Sequence, residues 1–130
     1  MTSGRGLADT SVFIASESGR NLDPDVLPDE VAVSIVTLGE LRAGVLAAAD
    51  VETRDRRLGT LLRALELRPL PVDDAVAEAW ARLRIALRDH GLRMPVNDSW
   101  IAATAMALGV PVVTQDADYV EVPGLDVVHV

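Results

Sequence analysis

Two kinds of pattern alternate along the chain: short apolar runs, and longer stretches in which apolar residues recur every three or four positions. Leu7 to Asp9 is a short apolar run that predicts a strand, and the helix-compatible stretch Val12 to Glu17 follows Thr10 and Ser11. Asp23-Pro24 has the form of an N-cap with proline at the first helical position, which predicts a short helix ending near Pro28. Val31 to Val36 is rich in β-branched residues and predicts a buried strand, after which Thr37 opens a helix through Ala49.

Val51, Leu58, Leu62 and Leu65 then share one helical face, with Arg54, Arg56, Arg57 and Arg63 largely on the other, so an amphipathic helix with a basic back is expected. Leu67 to Val72 holds two prolines and suits only an edge strand or a loop. Val76, Ala79, Trp80, Leu83 and Leu87 mark a second amphipathic helix, ended by His90-Gly91. After Pro95, Asn97 is expected to cap a helix rich in alanine (Ala102, Ala103, Ala105, Ala107) that Gly109 closes, its small residues allowing close approach to a sheet. Val110 to Thr114 and Leu125 to Val130 are the last expected strands, separated by the polar turn Gln115 to Tyr119. Strands alternating with helices predict an α/β fold with a mostly parallel central sheet covered on both faces, in one domain over residues 1–130.

Composition narrows the chemistry. With 130 residues and 49% hydrophobic content, the chain can bury a core without disulfides or a metal staple. Cysteine is absent, which excludes thiolate zinc sites, iron–sulfur clusters and thiol nucleophiles. All twelve basic residues are arginine, so enzymes that need a lysine as phosphate clamp or Schiff-base former are excluded as well. The start carries no apolar stretch of signal-peptide length, and the longest apolar run, Ile101 to Val113, is broken by Thr104, Gly109 and Pro111. A soluble, cytoplasmic protein with no membrane partner is the expectation.

The net charge of −8 is unevenly spread. Residues 1–40 carry two arginines against seven acids, residues 41–93 ten arginines against eight, and residues 94–130 five acids with no arginine. If the two ends of the chain meet in the fold, they make an acidic pocket.

In open parallel sheets, ligands bind beyond the carboxyl ends of the strands. The sequence puts carboxylates there: Asp9 after the first strand, Glu40 in the first turn of the helix after the second, Asp98 in the first turn of the alanine-rich helix, and Asp116 and Asp118 after Val112 to Thr114. Each has an ordinary structural reading. Asp9 suits an N-cap, Thr37-Leu38-Gly39-Glu40 has the form of a capping box, Asn97-Asp98 suits a helix N-terminus, and Gln115 to Asp118 suits a polar turn. Taken together they are harder to explain that way, because two carboxylates ~4 Å apart repel by about 4 kcal/mol at an effective dielectric near 20. Oxygen ligands without histidine or cysteine select Mg²⁺, or Mn²⁺ as a substitute, over zinc. Such a site supports phosphodiester hydrolysis.

These residues carry a resemblance. Leu7-Ala8-Asp9-Thr10-Ser11, Ser34 to Gly44, Asn97 to Ala105, and Val113-Thr114-Gln115-Asp116 with Val122-Pro123-Gly124-Leu125 resemble, in order and spacing, the PIN-domain ribonucleases of the VapC type, the toxins of type II toxin–antitoxin pairs. The resemblance implies a PIN-like three-layer α/β/α sandwich and a Mg²⁺-dependent endoribonuclease. It places Asp9, Glu40, Asp98 and Asp116 at the family's catalytic, metal-binding acid positions, with Thr10 or Ser11 beside the first acid. Thr114 is an accessory candidate. Asp118 is an outer-shell or second-metal candidate, since many relatives carry an asparagine and then an aspartate where this chain has Asp116-Ala117-Asp118. The partners it implies are an RNA substrate, a cognate antitoxin and a second copy of the chain.

The remaining residues with chemical potential read as structure. His90 suits a helix C-terminus and His129 a sheet position, and no Gly-x-Ser-x-Gly elbow accompanies them. Phe13, Trp80 and Trp100 are expected in the core, with Tyr119 the one aromatic left open to another role. The rival functions are a PIN nuclease of RNA maturation without an antitoxin, and a non-catalytic module whose arginine face docks protein or RNA.

Overall fold

The computed structural model describes residues 4–130, so the expected domain span includes three residues outside that range. In chain order the elements are β1 (Arg5–Ala8), α1 (Thr10–Glu17), β2 (Glu30–Val33), α2 (Ile35–Ala47), α3 (Val51–Glu66), α4 (Asp74–Asp89), α5 (Val96–Leu108), β3 (Val112–Thr114) and β4 (Val127–His129). The strands form one sheet in the order β2-β1-β3-β4, and each pairing is parallel. From β1 the chain steps to one side for β2, then returns through four helices to the other side for β3. The boundary between β1 and β3 is therefore the topological switch point, where an open α/β sheet leaves a crevice.

Side chains alternate across the sheet with period two and build two cores. Leu7 and Val112 face α4 and α5, packing with Leu83, Leu87, Ile101, Ala102 and Leu125. Ala8 and Val113 face the other way, onto Val12 of α1. The result is a three-layer α/β/α sandwich, as the strand–helix alternation implied. Ala102, Ala103 and Ala105 are fully buried, which bears out the close seating expected of the alanine-rich helix. Gly6 serves the same need in β1: a Cβ there would meet Val113 Cγ2 at 2.5 Å.

Several local expectations are corrected. Asp23-Pro24 opens one hydrogen-bonded turn instead of a helix, with the Leu27 amide reaching the Asp23 carbonyl at 3.2 Å. The second strand stops at Val33, because Ser34 caps α2 by accepting from the Val36 amide at 3.0 Å. Thr37 consequently lies inside the helix, fully buried, and the Thr37–Glu40 capping box is not formed. Nor does Asn97 cap α5, whose N-cap is Pro95; Asn97 is already helical. Leu70 forms a bridge beside Ser34 and is otherwise loop, as its prolines required.

The largest correction concerns α3. Val51, Leu58, Leu62 and Leu65 are 74%, 40%, 52% and 38% exposed, whereas Thr60, Leu61 and Ala64 are buried against Leu41 and Val45 of α2. Polar anchors set this rotation: Arg57 Nη1 donates to the Gly44 carbonyl at 2.7 Å, and the Thr60 hydroxyl donates to Glu17 Oε1 at 2.8 Å. His90 ends α4 as expected, its Nδ1 donating to the Ala86 carbonyl at 2.8 Å, and Gly91 follows in the left-handed region. His129 lies exposed in β4.

Candidate metal centre

The switch point gathers the acids. Asp9 directly follows β1, and its backbone amide donates to the Val113 carbonyl at 3.0 Å, which seats it between β1 and β3. It occupies the N-cap position of α1, yet its side chain accepts no capping hydrogen bond. The carboxylate is turned instead toward the crevice side, where the Ser11 hydroxyl donates to Oδ1 at 2.6 Å. The Ser11 and Thr114 hydroxyls lie 3.2 Å apart, and the Gln115 amide donates to Ser11 Oγ at 2.8 Å. Ser11 and Thr114 thus tie the end of β3 to the start of α1, and Asp9 is held at that knot with only 2% exposure.

Glu40 comes from the second turn of α2. The Thr10 hydroxyl donates to Glu40 Oε1 at 2.7 Å and lies 3.0 Å from the Thr37 hydroxyl. Asp98, in the first turn of α5, sits where the helix dipole favours negative charge, and it accepts from the Tyr119 hydroxyl at 3.3 Å. After β3, the Asp116 amide donates to Thr114 Oγ1 at 2.8 Å, and the Asp118 amide donates to Asp116 Oδ1 at the same distance. This Asx turn brings both acids round to α5, so that Asp98, Asp116 and Asp118 each offer an oxygen within 4.8 Å of the others.

The electrostatics tie the group together. Burial pushes the Asp98 carboxyl up to about 6, and the charges of Asp116, Asp9 and Glu40 add to the effect in that order, against the opposing hydrogen bond from Tyr119. Burial likewise raises Asp9, with Asp116 adding to it and the hydroxyls of Ser11 and Thr114 acting the other way. Tyr119 is raised by burial and then by the charges of Asp9 and Asp98, so it stays a neutral donor. No arginine or histidine is among the groups acting on these residues. Asp9, Glu40, Asp98 and Asp116 therefore share one field, and Asp118 joins Asp98 and Asp116 by distance.

This donor set fits a hard divalent cation. Asp98, Asp116 and Asp118 offer carboxylate oxygens close enough together to share an ion whose ligand bonds are about 2.1 Å, while Asp9 and Glu40 lie outside that distance grouping and reach it through their charge. Tyr119, the aromatic the sequence left open to another role without assigning one, is buried and its hydroxyl reaches Asp98. Its neighbours in sequence are polar or turn-forming, so only the packing of that turn over α5 reveals the role. Thr37 was assigned to a cap and instead backs the Thr10–Glu40 pair.

Residues 7–125 match the PIN domain family. The chain is 53% identical over 123 residues to Ribonuclease VapC5 of Mycobacterium tuberculosis, covering 95% of this chain and 91% of that one. It is also 53% identical over 127 residues to Ribonuclease VapC4 of the same organism, covering 97% of each. Among solved structures, a member of the VapBC family of toxin–antitoxin systems, VapBC-5 from Mycobacterium tuberculosis, matches with a TM-score of 0.81 and 52% identity over 88% of this chain and 86% of that one. Topology, the acids at the switch point and near full-length likeness agree, and the chain belongs to the PIN-domain family, within its VapC ribonuclease branch.

Proposed function

We propose that this protein is a divalent-metal-dependent endoribonuclease that acts as the toxin of a toxin–antitoxin pair. The observation that carries the reading is the shared field of Asp9, Glu40, Asp98 and Asp116 at the β1/β3 switch point. Asp9, Glu40, Asp98 and Asp116 would hold Mg²⁺, with Mn²⁺ as a substitute and Asp118 at its outer edge. When bound, the ion lowers the pKa of a water and neutralises charge on the phosphodiester.

The chain's own residues prepare that site. Ser11 and Thr114 hold the Asp9 carboxylate toward the crevice, and Thr10 fixes Glu40 by donating its proton to Oε1. Tyr119 donates to Asp98 Oδ1 and so favours the ionised carboxylate, against the desolvation that disfavours it. Each hydroxyl thereby fixes an oxygen before any substrate arrives.

The same field explains control. A cluster of unbalanced carboxylates attracts an inhibitor arm bearing arginine or lysine, which can neutralise it in place of a cation. A cognate antitoxin with such an arm, and pairing of the toxin with itself, complete the reading. Among the described residues no helix is long and apolar enough to cross a membrane, and the reading places the protein in the cytoplasm. The direct test is cleavage of a panel of structured RNAs with Mg²⁺, with Mn²⁺ and with EDTA, using the Asp98→Asn variant as control. Cleavage that persists in EDTA or in the variant overturns the metal reading.

A further inference from the structure

We infer that a small cavity between α4 and the start of α5, lined by Trp80, Arg84, Arg88 and Arg93, is a subsite for one nucleotide of the single-stranded RNA substrate. This rests on the ribonuclease reading above and specifies where the strand is gripped. The cavity measures about 300 Å³, at the lower end of the range for small-molecule sites and suited to one nucleotide.

Charge distinguishes it from the cavities beside Glu40, at Arg5 and at Arg82. The cavity beside Glu40 sets Glu17 and Glu40 against Arg56 and Arg57, and those at Arg5 and Arg82 each include one acid, Glu30 or Glu78. The α4–α5 cavity has three arginines and no acid on its walls, in a chain of net charge −8. Arg84 and Arg93 form no ion pair among the described residues, and Arg88 shares only an exposed one with Asp89 at 3.2 Å, which counts for little in water. Three exposed guanidinium groups around one small space offer the donors and the charge that a backbone phosphate takes.

The second observation is a platform for a base. Trp80 and Trp100 stack with ring centroids 4.2 Å apart and planes within 1° of parallel, and the Arg84 guanidinium lies over the Trp80 ring at 4.8 Å from its centroid. The Trp80 indole donates to Ser99 Oγ at 2.9 Å, which locks the ring. One face of Trp80 is covered by Trp100 and the other by Arg84, so the surface left for a base is the outer plane of the Arg84 guanidinium, and guanidinium planes are surfaces on which single-stranded bases stack. Ser99 is also a wall of the cavity and immediately follows Asp98 in α5, so the cavity lies at the same end of α5 as Asp98. Arg84, Arg88 and Arg93 are positioning residues on this account: they hold the strand in register and do not touch the reacting phosphate.

Trp80 and Trp100 are the chain's only tryptophans, so their fluorescence reports the site. The full-length protein is titrated in EDTA, which prevents turnover on the proposed mechanism, with a short single-stranded oligoribonucleotide. A second strand carrying abasic sites separates base stacking from phosphate binding. The expected result is saturable quenching by the first strand and several-fold weaker binding of the second. In the Arg84→Gln/Arg93→Gln protein, Kd should rise about tenfold or more, and the slope of log affinity against log salt should flatten by about 1.4 for two lost phosphate contacts. With metal restored, KM should rise more than kcat falls. Unchanged Kd and salt slope in the variant overturn the subsite, as does a defect confined to self-association or to binding a cognate antitoxin. RNA that binds in this way yet is never cut with Mg²⁺ or Mn²⁺ supports the subsite and sinks the nuclease reading. Cleavage with an unaltered KM in the variant does the reverse.

Discussion

The Tyr119 hydroxyl donates to Asp98 Oδ1 across 3.3 Å, joining the turn after β3 to the first turn of α5. Tyr119 is 3% exposed, and burial with neighbouring negative charge keeps its proton on, so the bond has a fixed direction. It opposes the burial and the charges that raise Asp98 to about 6 from an ordinary 3.8. Removing it as Tyr119→Phe should lift Asp98 further, and the acid limb of the cleavage profile should move to higher pH. An unmoved limb would mean that Asp98 ionisation does not govern activity.

Asp98 also sets a sign for stability. Its folded-state pKa lies above its unfolded value, so its contribution is full below about pH 4 and is lost as pH rises through about 6. In EDTA, the Tm should fall between about pH 4 and pH 6, and Asp98→Asn should flatten that slope. Mg²⁺ should raise the Tm more at the upper pH, where the carboxylates are ionised. A metal-free Tm that rises across this window would contradict the assignment.

Asp9 heads α1 without a side-chain capping bond, so Asp9→Asn sacrifices no cap and removes one charge from a crowded buried group. Its Oδ1 can still accept from Ser11. Calorimetry in EDTA should show an unchanged or higher Tm, while RNA cleavage disappears. A drop equivalent to the ~1 kcal/mol of a lost cap would return Asp9 to a structural role.

Thr10 acts on the cluster only through Glu40 Oε1, at 2.7 Å. Thr10→Val keeps the shape of the side chain and frees that carboxylate. Loss of such an orienting group weakens metal affinity by roughly 10-fold or more in comparable sites. Titration with Mn²⁺ followed by electron paramagnetic resonance should show that weakening with little change in Tm; unaltered Mn²⁺ affinity would remove Glu40 from the metal-binding set.

Ser34 and Thr37 compete for the start of α2, and Ser34 holds it. Urea unfolding of Ser34→Ala should show a loss of about 1 kcal/mol from the missing cap, with cleavage retained by the folded fraction. Thr37→Ser, which preserves the hydroxyl beside Thr10, should cost mainly the packing of one methyl group. Equal stability of Ser34→Ala and the parent protein would show that the cap is dispensable.

Much of the molecule was legible in one dimension because the deciding interactions are local. Period-two and period-3.6 patterns mark the elements, glycine at Gly91 and Gly109 marks helix ends, and acids placed just after Ala8 and Thr114 must fall at strand ends wherever the strands lie. The parallel sheet and the grouping of Asp9, Glu40, Asp98 and Asp116 follow from such placements together with the family resemblance.

Other features required the tertiary structure. Hydrophobic spacing on α3 shows that Val51, Leu58, Leu62 and Leu65 share a face, but burial depends on what lies opposite, and the Arg57–Gly44 and Thr60–Glu17 anchors turn Leu61 and Ala64 inward instead. Ser34 and Thr37 both suit an N-cap in sequence; the bridge from Leu70 beside Ser34 ends β2 and settles the choice. Asp116 and Asp118 are equivalent in a polar turn until the Asx hydrogen bond folds both toward Asp98. Tyr119 becomes a buried donor only because that same turn packs over α5, bringing together residues 21 positions apart by contacts that no local pattern encodes.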